Sequence, residues 1–248
     1  MTFRLLTYNI WRGGAGRVDA IARVVNACRP DVVVLQEATR PDVVEALAAR
    51  TGMREARSFA RQSLGFLSRG PVVHAHWHRP RFSRHAFVDV VPQDVPIRIF
   101  GVHLSAVHAA WTERRRLVEL RALLNAIAVH QDGFHVLAGD FNTLAPGEDL
   151  DVRRLPARLR PFVWLSGGRI KWRTIQTVAD AGYVDAFRAS HPGDAGFTMP
   201  AWDPHVRLDY VFVPSAFRDR VAGIEVVRDP DALSASDHLP VVADLTIP

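Results

Sequence analysis

Eight side chains in this sequence could handle a proton or a cation, and each stands at or beside an apolar, strand-like run. They are Asn9, Glu37, His103, Asp140, Asn142, Asp209, Asp237 and His238. The centre of the set is the run Val136-Leu137-Ala138-Gly139-Asp140-Phe141-Asn142, which stops at a glycine and offers a carboxylate and a carboxamide two residues apart. On an extended chain alternate side chains share a face, so Asp140 and Asn142 are expected to point together and Phe141 into the body. An acid at the end of a buried strand is costly unless a cation meets it. Taken singly, these residues are ordinary. Gly-Asp and Asn-Thr are turn chemistry, a lone strand-end histidine is more often structural, and Asp237 alone would serve as a helix cap. Taken together, several carboxylates brought close would repel strongly in a low dielectric, so the set calls for a cation.

The elements that must carry these residues read as an α/β chain. Phe3 to Tyr8 is strand-like and ends at Asn9, with Gly13 and Gly14 marking a turn. Val18, Ile21, Val25 and Cys28 recur at three- and four-residue steps, a helical stripe that Pro30 closes. Asp31 to Gln36 is apolar on both faces, the pattern of a strand buried on both sides, and it delivers Glu37. Ligands in such sheets gather at the C-terminal ends of strands. Pro41 opens a second helix. Gly65 to Val102 reads as antiparallel hairpins, and the last run ends at His103. A helical period returns from about Ala110 to Val129, with Leu117, Leu120, Leu124 and Ile127 on one face and Glu113, Arg114, Arg115 and Glu119 on the other. His135 to Ala138 is the next strand, and a helix from about Thr174 ends at Gly182. Val206 to Val213 reads as a strand with Asp209 in its middle; Ile224 to Val227 and Val241 to Leu245 read as the last two.

With 248 residues, 48% of them hydrophobic, and no Pro/Gly/Ser-rich linker, a single domain over residues 1–248 is expected. The single cysteine, Cys28, excludes an internal disulfide and fits a reducing compartment. No secretory pattern opens the sequence and no run could span a bilayer, so a cytoplasmic protein is expected. The net charge is +5, the pI about 10.2, and of 31 basic residues only Lys171 is a lysine. That balance favours an anionic partner, although a GC-rich genome would also produce an arginine bias. The least regular stretch holds Arg153, Arg154, Arg158, Arg160, Arg169, Lys171 and Arg173 with Trp164 and Trp172, and no acid lies between Val152 and Ala179. Such interleaving suits a phosphate backbone with stackable bases or an anionic lipid face. It equally suits a solvated insertion whose rings tuck onto the core.

Seven segments fall in a familiar order: Thr7-Tyr8-Asn9-Ile10, Asp31 through Glu37, Leu67-Ser68-Arg69, Val102-His103-Leu104, Gly139-Asp140-Phe141-Asn142, Arg207-Leu208-Asp209-Tyr210 and Ser236-Asp237-His238-Leu239-Pro240. Through them the sequence resembles, nearly end to end, the endonuclease/exonuclease/phosphatase superfamily. Its members include DNase I-like and abasic-site nucleases, neutral sphingomyelinases, inositol polyphosphate phosphatases and tyrosyl-DNA phosphodiesterases. The resemblance implies a four-layer α/β/β/α sandwich of two mixed, mostly antiparallel sheets, with the active site at one end of the strands. It implies Glu37 as the main ligand of Mg²⁺ or Mn²⁺, with Asn9 and Asp237 close to the metal. Asp140 would orient or deprotonate the attacking water, and Asn142 would hold the phosphate or the water. His238, paired with Asp209, would stabilise the charged transition state. The sequence leaves open whether Asp140 or His238 takes the proton. His103 matches the phosphate-contacting position of the sphingomyelinase-like and tyrosyl-DNA branches, which is a tyrosine in the abasic-site nucleases. Arg116, beside Glu113, matches an arginine that buttresses the site, and Arg116 and Arg12 are expected to meet the substrate phosphate. Trp11 stands where the abasic-site branch carries an acid, which argues against that branch. The insertion loops of the inositol phosphatases are not visible.

The expected activity is therefore a divalent-metal-dependent phosphodiesterase or phosphatase. Nucleic acid comes first as substrate, a phospholipid head group second and a small phosphomonoester third. Relatives that have become binding modules usually lose the Glu, Asp or His that this chain keeps. A monomer is expected.

Overall fold

The computed structural model describes residues 1–80, 83, 85–106, 110–155, 157, 160–165 and 172–247. Strands β1 (Thr2–Asn9), β2 (Val32–Gln36), β3 (Glu55–Arg57), β4 (Leu64–Ser68), β11 (Val221–Val226) and β12 (Val241–Thr246) make one sheet, in the order β11-β12-β1-β2-β4-β3. Strands β5 (Val72–His78), β6 (Phe87–Pro92), β7 (Arg98–His103), β8 (His135–Asp140), β9 (Tyr183–Asp185) and β10 (Asp209–Pro214) make the other, in the order β5-β6-β7-β8-β10-β9. Each sheet has one parallel pair, β1 with β2 and β7 with β8, and its other pairs are antiparallel. This is the expected sandwich of two mixed, mostly antiparallel sheets. The parallel pairs lie inside the sheets, and β2 is buried at every residue, as its unbroken apolar run requires.

Helices α1 (Val18–Cys28), α2 (Pro41–Thr51) and α7 (Pro230–Ala235) pack together, and Ile21, Val25, Val44 and Leu47 share one buried core with the strands of the first sheet. Helices α3 (Ala110–Ile127) and α5 (Arg173–Asp180) pack against each other; Leu120, Leu123, Ile127, Ile175 and Val178 bury Phe100, Val102, Leu137 and Phe212 of the second sheet. The short helices α4 (Arg160–Leu165) and α6 (Ala186–Ser190) complete the described set. No helix among the described residues is long and apolar enough to cross a membrane.

Three expectations need correction. The run from Gly65 to Val102 is not one set of hairpins, because β4 pairs with β2 and β3 while β5 pairs with β6 in the other sheet. Asp209 is not in mid-strand but opens β10. The amides before it turn elsewhere: Val206 donates to the Met199 carbonyl at 3.1 Å and Leu208 to Thr198 Oγ1 at 3.1 Å, and the Leu208 carbonyl still meets the β8 side, accepting from the Phe141 amide at 2.9 Å. Glu113 and Glu119 do not share the solvent face of α3 with Arg114 and Arg115; both are buried.

Candidate active site

The site grows from three neighbouring strands. Asp140, the last residue of β8, stands in register between His103 on parallel β7 and Asp209 on antiparallel β10. Two C-terminal strand ends and an N-terminal one thus bring three chemically active side chains to the same level. The approach is so close that a Cβ on Gly139 would lie 1.9 Å from the Val102 carbonyl oxygen, which explains the glycine before the acid. Asp140 is fully buried. The Asn142 amide nitrogen donates to its Oδ1 at 2.8 Å, and Asn142 Nδ2 donates to its Oδ2 at 3.1 Å and to the Leu104 carbonyl at 3.0 Å. Asp140 and Asn142 do converge, but not by strand alternation. The strand ends at Asp140, and Asn142 returns in the left-handed region at φ 53°. Phe141 packs into the core, as expected.

Two imidazoles face the same carboxylate. His238 Nδ1 is 2.8 Å from Asp209 Oδ2, which leaves its Nε2 3.9 Å from Asp140 Oδ2; His103 Nε2 is 3.8 Å from that oxygen. Burial lowers the proton affinity of His238, but Asp209, Asp140 and Asp237 outweigh it and raise the group to about 10. Burial pushes the Asp140 carboxyl up to about 7, against the pull of His238 and with Asp209 adding to the rise. Loops are tied in behind them. Ser236 Oγ donates to the Asn9 carbonyl at 2.6 Å, and the His238 amide donates to Ser236 Oγ at 3.4 Å. Ser236 and Thr198 are supports that sequence reading did not single out as such. Neither was His85, whose ring stacks on His103 with centroids 4.8 Å apart. No spacing marks His85, because it reaches the site from the β5–β6 connection.

The first sheet contributes the third part. Asn9 Nδ2 reaches Asp140 Oδ2 at 3.1 Å and Glu37 Oε1 at 3.5 Å. The Trp11 amide donates to Asn9 Oδ1 at 2.9 Å, and the Arg12 amide to Glu37 Oε2 at 2.5 Å. Glu37, Trp11, Arg12 and Asn142 all hold positive φ without being glycine, a clustering of strained backbone that belongs to functional sites. Burial raises the Asp237 carboxyl; His238 opposes the rise and Glu37 adds to it. Among the described residues neither Glu37 nor Asp237 has a basic side chain within 4.0 Å. These two carboxylates and the Asn9 carboxamide are a hard oxygen set lacking a cation, which fits Mg²⁺ or Mn²⁺. Asp140, Asp209 and His238 also place donor atoms within 4.8 Å of one another, which the imidazole–carboxylate hydrogen bond accounts for.

The two expected phosphate arginines part ways. Arg12 is exposed, with its backbone amide bound to Glu37. Arg116 is 1% exposed; its guanidinium binds Glu113 Oε2 at 2.9 and 3.0 Å and the Ser105 carbonyl at 2.7 Å. It braces rather than faces a phosphate. Glu113 carries the brace onward, accepting from Thr143 Oγ1 at 3.3 Å and from the Thr174 amide at 2.8 Å. In the arginine- and tryptophan-rich stretch, Trp164 is 76% exposed rather than tucked onto the core, and Trp172 donates to the Glu148 carbonyl at 3.0 Å. Arg158, Arg169 and Lys171 lie outside the described residues.

Residues 6–238 match the family model described as the Endonuclease/Exonuclease/phosphatase family. The chain belongs to that family. As an endonuclease/exonuclease/phosphatase protein it is a hydrolase acting on phosphoester bonds. The same architecture recurs in solved structures. One is the 3′ phosphatase NExo from Neisseria bound to product DNA hairpin, with a TM-score of 0.76 and 19% identity over 98% of this chain and 99% of that one. An AP endonuclease from Archaeoglobus fulgidus gives 0.76 at 17% identity, over 98% and 99% of the two chains. Humanized TDP2 from D. rerio gives 0.68 at 17% identity, over 99% of each. At these identities the likeness speaks for the fold. No curated protein sequence matches the chain.

Proposed function

We propose that this endonuclease/exonuclease/phosphatase protein is a divalent-metal-dependent phosphodiesterase acting on nucleic acid. The observation that carries the reading is the single carboxylate oxygen, Asp140 Oδ2, faced by two imidazole nitrogens at 3.8 and 3.9 Å beside a cation-deficient carboxylate pair. Glu37, Asn9 and Asp237 would hold Mg²⁺ or Mn²⁺. When bound, the ion would supply Lewis-acid polarisation of a phosphoryl oxygen.

The chain's own residues divide the remaining work. Asp140, poised near neutrality by burial, takes the proton of the attacking water, because a base works best with a pKa near the operating pH. Asn142 and Asn9 fix that carboxylate through three hydrogen bonds, two from the Asn142 backbone and side chain and one across the sheets from Asn9. His238, held protonated by Asp209, presents its Nε2–H to the phosphoryl group as a fixed positive charge. His103 Nε2 approaches the same space from the other strand. Nucleic acid is favoured by the net charge of +5 and by arginines interleaved with exposed tryptophan. The DNA-bound 3′ phosphatase and the AP endonuclease of the same fold support it. We take His103, and Trp11 in place of an acid, as support for the tyrosyl-DNA and sphingomyelinase-like branches over the abasic-site one.

The test is turnover of single-stranded DNA, plasmid, RNA, sphingomyelin and inositol phosphates by the wild type, Asp140→Asn and His238→Ala, with Mg²⁺, Mn²⁺ or EDTA. The expected outcome is metal-dependent cleavage of a nucleic acid, with each substitution costing about 10²–10⁴ in rate. Wild-type turnover in either variant, indifference to EDTA, or activity confined to lipid or inositol substrates would overturn the reading.

A further inference from the structure

The turn that follows β1 contains a tryptophan that the roles above leave unused. Trp11, Arg12, Gly13 and Gly14 are all left-handed in succession, at φ 49°, 49°, 70° and 68°. This winding commits two backbone N–H groups to Asn9 and Glu37 and leaves the Arg12 side chain exposed beside a half-buried Trp11 ring. There the Trp11 ring carries two guanidiniums: Arg12 Cζ is 5.0 Å from its centroid and Arg17 Cζ 4.8 Å. The two arginines are held differently. Arg17 donates to the Ala235 carbonyl at 2.7 Å and to the Trp11 carbonyl, so it ties the turn to the loop that carries Asp237 and His238. Arg12 is exposed, and among the described residues its guanidinium has no carboxylate or carbonyl partner. A flexible side chain with unspent donors has been given a fixed resting place by a ring.

We infer that Trp11, Arg12 and Arg17 form a second anion subsite, in which Trp11 positions Arg12 to grip the phosphate next to the one being hydrolysed. The Arg12 backbone is anchored on Glu37, at the reaction centre, while its guanidinium rests over the Trp11 ring. An extended arginine reaches about as far as the step between neighbouring phosphates of a strand, and its planar fork matches phosphate oxygens two at a time. Arg17 adds a second positive charge on the same ring and fixes the whole turn. The ligand class is a polyanion with at least two linked phosphodiesters. The inference rests on the nucleic-acid reading proposed above.

The experiment measures binding of a fluorescein-labelled single-stranded decathymidylate by anisotropy in EDTA, and KM and kcat on the unlabelled strand with Mg²⁺. It uses the wild type, Arg12→Gln, Trp11→Leu, Trp11→Phe and the Trp11→Leu/Arg12→Gln pair. Arg12→Gln is expected to weaken binding about tenfold, the equivalent of one charge-assisted contact, and to raise KM more than it lowers kcat. Trp11→Leu should weaken binding several-fold alone and add nothing in the Arg12→Gln background, and Trp11→Phe should restore it. Losses that add in the double variant would mean that Trp11 stacks a base itself and would overturn the positioning role. Wild-type binding in Arg12→Gln, with wild-type cleavage intact, would overturn the subsite alone. A wild type that neither binds nor cleaves the strand would remove the nucleic-acid reading and the subsite together.

Discussion

His238 gains its role from what Asp209 does to its proton. Folded, the imidazolium is raised to about 10; its ordinary value is 6.5. The folded state therefore binds this proton more tightly, and the stability it contributes is fully present below pH 6.5 and lost as pH rises through about 10. Asp140 acts with the same sign, its folded value of about 7 lying above the ordinary 3.8, so part of the fold's stability is lost between those two values. In chelator, denaturant midpoints of the wild type should thus fall between pH 6.5 and 10, at about 1.4 kcal/mol for each pH unit between the two titrations as an upper bound. Asp209→Asn should flatten that fall, since it removes the first attraction that offsets the burial of the ring. A wild-type midpoint that rises across the same window would contradict the assignment of a protonated His238. The residue types of this centre were legible in the sequence because strand ends are where α/β proteins place such groups. The His238–Asp209 pair came only from the family resemblance, since no local spacing marks a hydrogen bond between residues 29 apart, and the approach of both imidazoles to Asp140 Oδ2 was not foreseen.

At the scale of elements, the turn after β8 is held from behind by charge. Arg207, fully buried, meets Glu148 at 2.6 Å and Asp185 at 2.7 Å, and Glu148 also takes Arg188 at 2.9 Å. Tyr210 closes the arrangement, donating to the Thr143 carbonyl at 3.0 Å. Removing one partner of a buried ion network leaves the other uncompensated, so Arg207→Met is expected to cost about 3–5 kcal/mol in urea unfolding. A loss below about 1 kcal/mol would show that water already solvates Glu148 and Asp185. The sequence pointed to the strand beyond Arg207 but not to this network, which depends on contacts 22 and 59 residues apart. The misplacement of Asp209 has the same root. Val206 to Leu208 look like strand by composition, yet the Val206 and Leu208 amides donate to Met199 and Thr198. Likewise the acids of α3 looked solvent-facing until Arg116, Ser105 and Thr174 supplied partners that make burial affordable. What periodicity did reveal was every long element, because each buries one apolar stripe or two apolar faces.

Across the whole molecule, the site is a seam. Asn9 and Glu37 come from the first sheet, His103, Asp140 and Asp209 from the second, and Asp237 and His238 from the loop leading back into the first. Asn9 crosses the seam to Asp140 at 3.1 Å, while Glu37 and Asp237 repel each other on the first sheet's side of it. A dication held by Glu37, Asn9 and Asp237 would turn that repulsion into attraction and join a strand end of one sheet to the closing loop. Binding to the folded state alone stabilises by RT ln(1 + [L]/Kd), about 2.7 kcal/mol at a hundredfold excess over Kd. For a chain of this size that corresponds to a rise in Tm of roughly 5–11 °C. Wild type titrated with Mg²⁺ or Mn²⁺ should therefore melt progressively higher, and EDTA should reverse the shift. Glu37→Gln should lose most of the metal-induced rise. It should also melt higher than the wild type in EDTA, because one of two facing carboxylates has been neutralised. That crossing of the two curves separates a ligand from a merely structural acid. If Glu37→Gln instead lowered the melting temperature equally with and without metal, Glu37 would be a structural support for the Arg12 turn, and the cation would have to lie elsewhere.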